Sequence, residues 1–260
     1  MILHQSLCRK LISLLYKSHS GHIGSSLSCI DILYVLYSYG VKTGDRVILS
    51  KGHAAPALYV VLHQLGIISD EIYHSFHEDG TFLPAHPPNN FFDTIPFPTG
   101  SLGHGLSLSA GIAQGFLMRG EKKPNYIFCL MSDGECNEGS VWEAAQYASK
   151  HRLYNLIALI DKNRIQAFGK TEDVLGDSAS KQKWEAFGFE VLECDGHDHD
   201  ALRELINALR HKRSTRPRMI ICNTTKGHGV SFMENTIDWH YLTMNEDQYN
   251  QAIKEISEKL

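Results

Sequence analysis

The chain has no C-x-x-C pair, no long apolar stretch and no glycine-rich dinucleotide fingerprint. Its six cysteines are scattered without close metal-ligand spacing, so they read as free thiols in a reducing cytosol. Cys129 and Cys222 lie in apolar runs and read as small core residues. No apolar run reaches the ~18 residues of a membrane span, and the N-terminus lacks a signal-peptide pattern. A soluble, cytoplasmic protein is expected, with no membrane partner. A formal net charge of −4 gives no reason to expect nucleic acid either. No G-x-G-x-x-G follows the first strand, which disfavours a nicotinamide-binding Rossmann domain. There is no internal repeat and no low-complexity segment.

What is present is an ordinary globular composition, 43% apolar and 21% charged over 260 residues, enough to bury a sizeable core. Fifteen histidines are many for this length, and several sit in glycine-bearing loops. Short apolar runs predict strands near 46–49, 126–131, 156–161, 189–194 and 218–223. Pro124 bounds the second of these. Amphipathic spacing predicts helices over 4–17, 54–65, 106–118, 138–150 and 180–188, another through Leu202, Leu205, Ile206 and Leu209, and a last over 246–259. Ser28 is placed to cap a further helix running through Ile30, Leu33 and Leu36. Strands alternating with helices predict an α/β fold, a parallel sheet with helices on both faces. Residues 81–105 are the longest irregular stretch, held open by Pro84, Pro87, Pro88, Pro96 and Pro98. Phe82, Phe91, Phe92 and Phe97 argue against disorder there.

The chain is organised around residues 125–165, which read as strand, helix and strand. The two strands of such a unit are parallel, and their carboxyl ends open on the edge where open α/β sheets bind ligands. Asp133 follows the first and Asn163 the second, so the two can meet as oxygen ligands. Magnesium suits that pair, since it takes few protein oxygens and completes its shell with water and phosphates. Gly134 would let the backbone approach a phosphate, with the following helix directing its positive end there. Either S-D-G or D-K-N alone reads as an ordinary turn. The pair, at opposite ends of one unit, favours a metal–diphosphate site.

This stretch resembles the thiamine diphosphate signature of the transketolase family, an acidic G-D-G motif followed by an asparagine, with Ser132 in place of the first glycine. The resemblance runs from about residue 20 to the C-terminus. It includes SHSGHIGSSLSCIDILYVLY, with Ile23 where the family usually has proline, and DRVILSKGHAAPALYVVLHQLG. It continues through P-A-H-P, T-G-S-L-G-H-G and TTKGHGVSFMENTIDWH. It implies a thiamine diphosphate-binding fold over residues 1–260, and a magnesium or calcium ion held by Asp133, Asn163 and the Ile165 carbonyl. It also implies active-site histidines at His22, His53, His86 and His240, with His53 close to the cofactor. Gly100, Ser101 and Leu102 would line the cofactor and Gly134 its diphosphate, with His228 near the diphosphate as well. The glycines also read as the entry to the next helix. Glu138 either meets its counterpart across a dimer or is a first-turn carboxylate favoured by the helix dipole. Ala167 stands where a larger apolar residue is common, and Tyr241–Met244 replaces a small glycine-containing turn.

The resemblance covers only the first domain of a whole transketolase. It implies the N-terminal subunit of a split enzyme. A C-terminal transketolase-like subunit would supply the pyrimidine domain, its activating glutamate and the sugar-phosphate arginines, in an α2β2 heterotetramer. The expected reaction is two-carbon ketol transfer from a ketose or its phosphate to an aldose, with the histidines orienting hydroxyls, stabilising alkoxide and shuttling protons. Alternatives are a deoxyxylulose phosphate synthase-like subunit, the α subunit of a 2-oxo acid dehydrogenase, and a non-catalytic scaffold with a degenerate site.

Overall fold

Five apolar runs become the strands of one parallel sheet. The computed structural model describes residues 2–89, 94–120 and 125–258; Phe91, Phe92, Pro124 and residue 259, which the sequence reading used, lie outside them. The strands are β1 (Arg46–Leu49), β2 (Ile127–Ser132), β3 (Leu156–Lys162), β6 (Glu190–Asp195) and β7 (Arg218–Asn223), and the spatial order is β1-β2-β3-β7-β6. Registers such as Ser132↔Asp161 and Asp161↔Cys222 put the strand ends level.

Because side chains alternate along a strand, each strand feeds two layers. Phe128, Leu130, Ile157 and Leu159 pack on one face. That face is covered by α1 (Ile2–Lys17), α2 (Ile23–Val35), α3 (Ala55–Gln64), α9 (His199–His211) and α10 (Glu246–Glu258). Cys129, Met131, Ala158 and Ile160 pack on the other, under α5 (Gly105–Met118), α6 (Gly139–Lys150) and α8 (Lys181–Ala186). Truncating any fully buried leucine or isoleucine there to alanine costs about 2–5 kcal/mol.

The helix expected to start at Ser28 instead starts at Ile23. His22 makes the turn, in a left-handed conformation with φ 64°. Ser28 is interior and buried, donating to the Ser25 carbonyl at 3.0 Å and to Asp161 at 2.6 Å. Residues 165–170 form a small hairpin, β4 (Ile165–Gln166) against β5 (Gly169–Lys170). Two five-residue helices, α4 (Asp70–His74) and α7 (Thr171–Leu175), were also missed.

Candidate functional site

The carboxyl ends of β1, β2, β3 and β7 bring four loops to one edge of the sheet. Asp133, just past β2, is 2% exposed. Its Oδ1 accepts from the Gly134 N–H at 2.9 Å, and its Oδ2 from the Arg164 N–H at 2.7 Å and the Thr171 hydroxyl at 2.9 Å. Arg164 aims that donor through a left-handed backbone, φ 66°, a conformation costing a non-glycine residue about 1–3 kcal/mol. Burial raises the Asp133 carboxyl above its usual range, and the Asp161 charge adds to it. A charged carboxylate in that position calls for a cation.

Asn163, just past β3, is held at both ends of its amide. Its oxygen accepts from the Ile165 N–H at 3.1 Å, and its nitrogen donates to Ser28 Oγ and Asp161 Oδ2, each at 3.3 Å. Asp161 is itself fully buried. It accepts from Ser28 and Thr224 and pairs with the buried Lys51 ammonium. Burial alone would raise this carboxyl; Lys51 and the hydroxyl donors hold it below its usual range. A second buried ammonium, Lys226, lies 3.1 Å from the Ile165 carbonyl oxygen and 2.9 Å from His240 Nδ1. Burial, then the Lys51 charge, brings Lys226 down to about 8.

Four imidazoles gather beside this oxygen set. The His22 ring centroid lies 5.3 Å from His53, 6.4 Å from His86 and 5.1 Å from His240, and His53 lies 5.5 Å from His240. Burial lowers all four, and neighbouring positive charge adds to the effect at His22, His53 and His240, the last falling to about 3. At neutral pH they are uncharged, able to accept or donate a proton. His53 and His240 share one cavity of about 300 Å³ with Asp133, Asn163, Ile165 and Gly134.

Leu102 and Glu138 line that cavity too. Glu138 is exposed and stands at the N-cap of α6 without capping it through its side chain. Gly100 and Ser101 are exposed, and a Cβ at Gly100 would sit 3.5 Å from the His86 ring. Residues Gly134–Asn137 form a separate 3₁₀ turn before α6 begins at Gly139, close to the expected start at 138. The Gly134 N–H is taken by Asp133, and the Ile165 carbonyl already accepts from Lys226. His228 is not brought to this cavity: its ring stacks on His197 at 3.7 Å and meets His4 at 5.6 Å.

The residues present fit a metal–diphosphate group. A carboxylate, an amide oxygen and a carbonyl are the hard donors magnesium takes. Asn137 Nδ2 and Gln166 Nε2, on two wall residues of the cavity, are buried donors without a partner among the described residues. The sequence reading missed Lys51, Lys226, Asp161 and also Glu135. Glu135 is a buried carboxylate accepting from Ser50 and from the Gly103 N–H at 2.8 Å, and it ties three loops together. A larger cleft of about 1210 Å³ opens at the amino ends of the strands, by Lys42, Asn125 and Tyr154. Its Arg210 and Lys212 are paired with Asp45 and Glu190, and it contains none of the candidate residues.

Residues 7–258 match the family model described as "Transketolase, thiamine diphosphate binding domain". The chain belongs to the transketolase family. It is 38% identical to a subunit of the apulose-4-phosphate transketolase of Phocaeicola vulgatus, over 97% of this chain and 92% of that protein. It is 36% identical to a 6-deoxy-6-sulfo-D-fructose transketolase subunit of a Clostridium species, over 92% and 89%. Among solved structures, the transketolase of Campylobacter jejuni superposes with a TM-score of 0.88 at 29% identity. That match covers 99% of this chain and 43% of the other, so the chain spans about two-fifths of a solved transketolase. The transketolase resemblance and the α/β thiamine diphosphate-binding fold read from sequence are thereby shown. Among the described residues no helix is long and apolar enough to cross a membrane.

Proposed function

We propose that this chain is the diphosphate-binding subunit of a two-subunit transketolase, dependent on thiamine diphosphate and magnesium, that moves a two-carbon ketol unit from a ketose to an aldose. The observation that carries this reading is one cavity in which Asp133 and Asn163 meet His53 and His240. In this reading Asp133, the Asn163 amide oxygen and the second lone pair of the Ile165 carbonyl hold the metal. Asn137 and Gln166 offer their free N–H donors to the diphosphate, and Leu102 and Ala167 wall the rings. When bound, thiamine diphosphate supplies the electron sink that lets the carbon–carbon bond beside a ketose carbonyl break.

The chain's own residues do the rest. His22, His53, His86 and His240 are kept uncharged by burial, reinforced at His22, His53 and His240 by the two lysines. They can therefore hold sugar hydroxyls and move protons at neutral pH. The Lys226 ammonium donates to His240 Nδ1, which leaves the imidazole proton on Nε2. The pyrimidine-activating carboxylate and the anion-binding arginines are assigned to a C-terminal subunit, in an α2β2 assembly. Residues 1–260 serve as the diphosphate-binding domain. Relatives of near-equal length, named as transketolase subunits, support that division. Their names carry a phosphate or a sulfo group, so the proposed donor is a ketose bearing a terminal anion. The relatives' names lend no support to a 2-oxo acid dehydrogenase or deoxyxylulose phosphate synthase.

Co-expression with a candidate C-terminal transketolase-like subunit, followed by assay of ketol transfer between sugar phosphates, tests the proposal. Cofactor-dependent transfer, abolished by Asp133→Ala, is expected. Absence of transfer from every ketose tried, or full activity of Asp133→Ala, would overturn it.

A further inference from the structure

A second group of histidines converges on a buried carboxylate away from the cavity. Asp31, on α2, is fully buried. His4 Nδ1, from the first turn of α1, and His199 Nε2, from the start of α9, lie 2.6 and 2.7 Å from its Oδ1. His197 Nδ1 lies 2.9 Å from its Oδ2. His197 Nε2 accepts the Thr225 N–H at 3.0 Å, so its proton sits on Nδ1 and is donated to Asp31. The ligating atoms of His4, Asp31 and His199 all lie within 4.8 Å of one another.

We propose that His4, Asp31 and His199 form a site for a zinc-class divalent ion, a clasp joining α1, α2 and the start of α9. Two imidazole nitrogens and one carboxylate oxygen are a zinc ligand set, completed by water at a fourth position. The surrounding shell is in place. His197 holds the second Asp31 oxygen, as outer-shell partners of a ligating carboxylate do. His4 Nε2 lies 3.5 Å from Cys8 Sγ, so the proton displaced from Nδ1 by a metal has an acceptor there. His199, the most open of the three at 27% side-chain exposure, gives the ion and its water a route from solvent. The site shares no residue with the proposed reaction and does not depend on it.

The test is zinc binding by the tag-free full-length chain in excess magnesium, which occupies the Asp133 oxygen set. Equilibrium dialysis gives the affinity, and cobalt substitution reports a four-coordinate ion by its visible absorption. One zinc per chain is expected. Binding should weaken roughly a hundredfold or more in His199→Ala, a ligand loss exceeding the 10–100-fold effect of an outer-shell change. His199→Gln should behave alike, while His240→Ala, which breaks the other imidazole group, keeps the site. Absence of stoichiometric zinc in the wild-type chain would overturn the proposal, leaving Asp31 a hydrogen-bonded latch. Zinc lost with His240 but retained without His199 would overturn it equally, and circular dichroism confirms that each variant is folded.

Discussion

Lys226 places its ammonium 2.9 Å from Nδ1 of His240, and so ties the loop after β7 to the histidine group. Lys226 is fully buried beside a second ammonium, Lys51, and its pKa falls to about 8. In the unfolded chain it is about 10.4. Between those values the unfolded state carries a proton the folded state has lost, so this residue's contribution to stability rises with pH. Buried cysteines and tyrosines titrate oppositely, so the comparison is with Lys226→Met. The stability difference should shift toward wild type between about pH 8 and 10.4, read from urea unfolding at each pH.

The histidine group titrates at the other end. His22, His53, His86 and His240 all have lowered folded pKa values against about 6.5 unfolded. Below about 6.5 the unfolded chain gains protons first, and stability falls. With His240 at about 3, its share is lost progressively from about pH 6.5 down toward 3. His240→Asn should flatten the pH dependence of unfolding across that window.

Lys51 and Asp161 form a fully buried ion pair. Removing either partner alone leaves an uncompensated charge, at a cost of about 3–5 kcal/mol. Lys51→Met should therefore be strongly destabilising, and Lys51→Met combined with Asp161→Leu should recover part of the loss. Denaturant unfolding of the two single variants and the double variant measures the coupling.

Gly21 precedes His22, and a Cβ there would lie 2.7 Å from the Tyr241 carbonyl oxygen. Gly21→Ala forces the chain around His22 and His240 apart, with an expected cost of about 1–3 kcal/mol. The His240 resonances in an imidazole NMR spectrum should move with it, while those of His197 and His199 stay in place.

The sheet was legible in the sequence because its central strands β2, β3 and β7 are buried on both faces and read as apolar runs. Arg46–Leu49 and Leu156–Ile160 were placed directly. Asp133 and Asn163 were legible because a parallel strand pair must open both ends on one edge. The four histidines were legible only through the motifs around them. Lys51, Lys226 and Asp161 were not. A charged residue in a polar loop reads as solvated, and only the packing of α2 against the strand ends shows these three in the interior. Ser28 was misread for a related reason: a serine before an apolar run looks like a cap, whereas the chain turns at His22. The hairpin at Ile165–Lys170 and the five-residue helices are too short for a periodic signal. His228 sits in a glycine loop like His22 and His53, yet the turn after β6 draws its ring to His197.

In the proposed site Asp133 and Asn163 hold a divalent ion within reach of the histidine group. Manganese, a paramagnetic stand-in for magnesium, tests it in the full-length chain saturated with thiamine diphosphate and zinc. The imidazole signals of His53 and His240 should broaden strongly and those of His197 and His199 much less, and Asp133→Ala should abolish the effect. Uniform broadening, or broadening that survives Asp133→Ala, would contradict it.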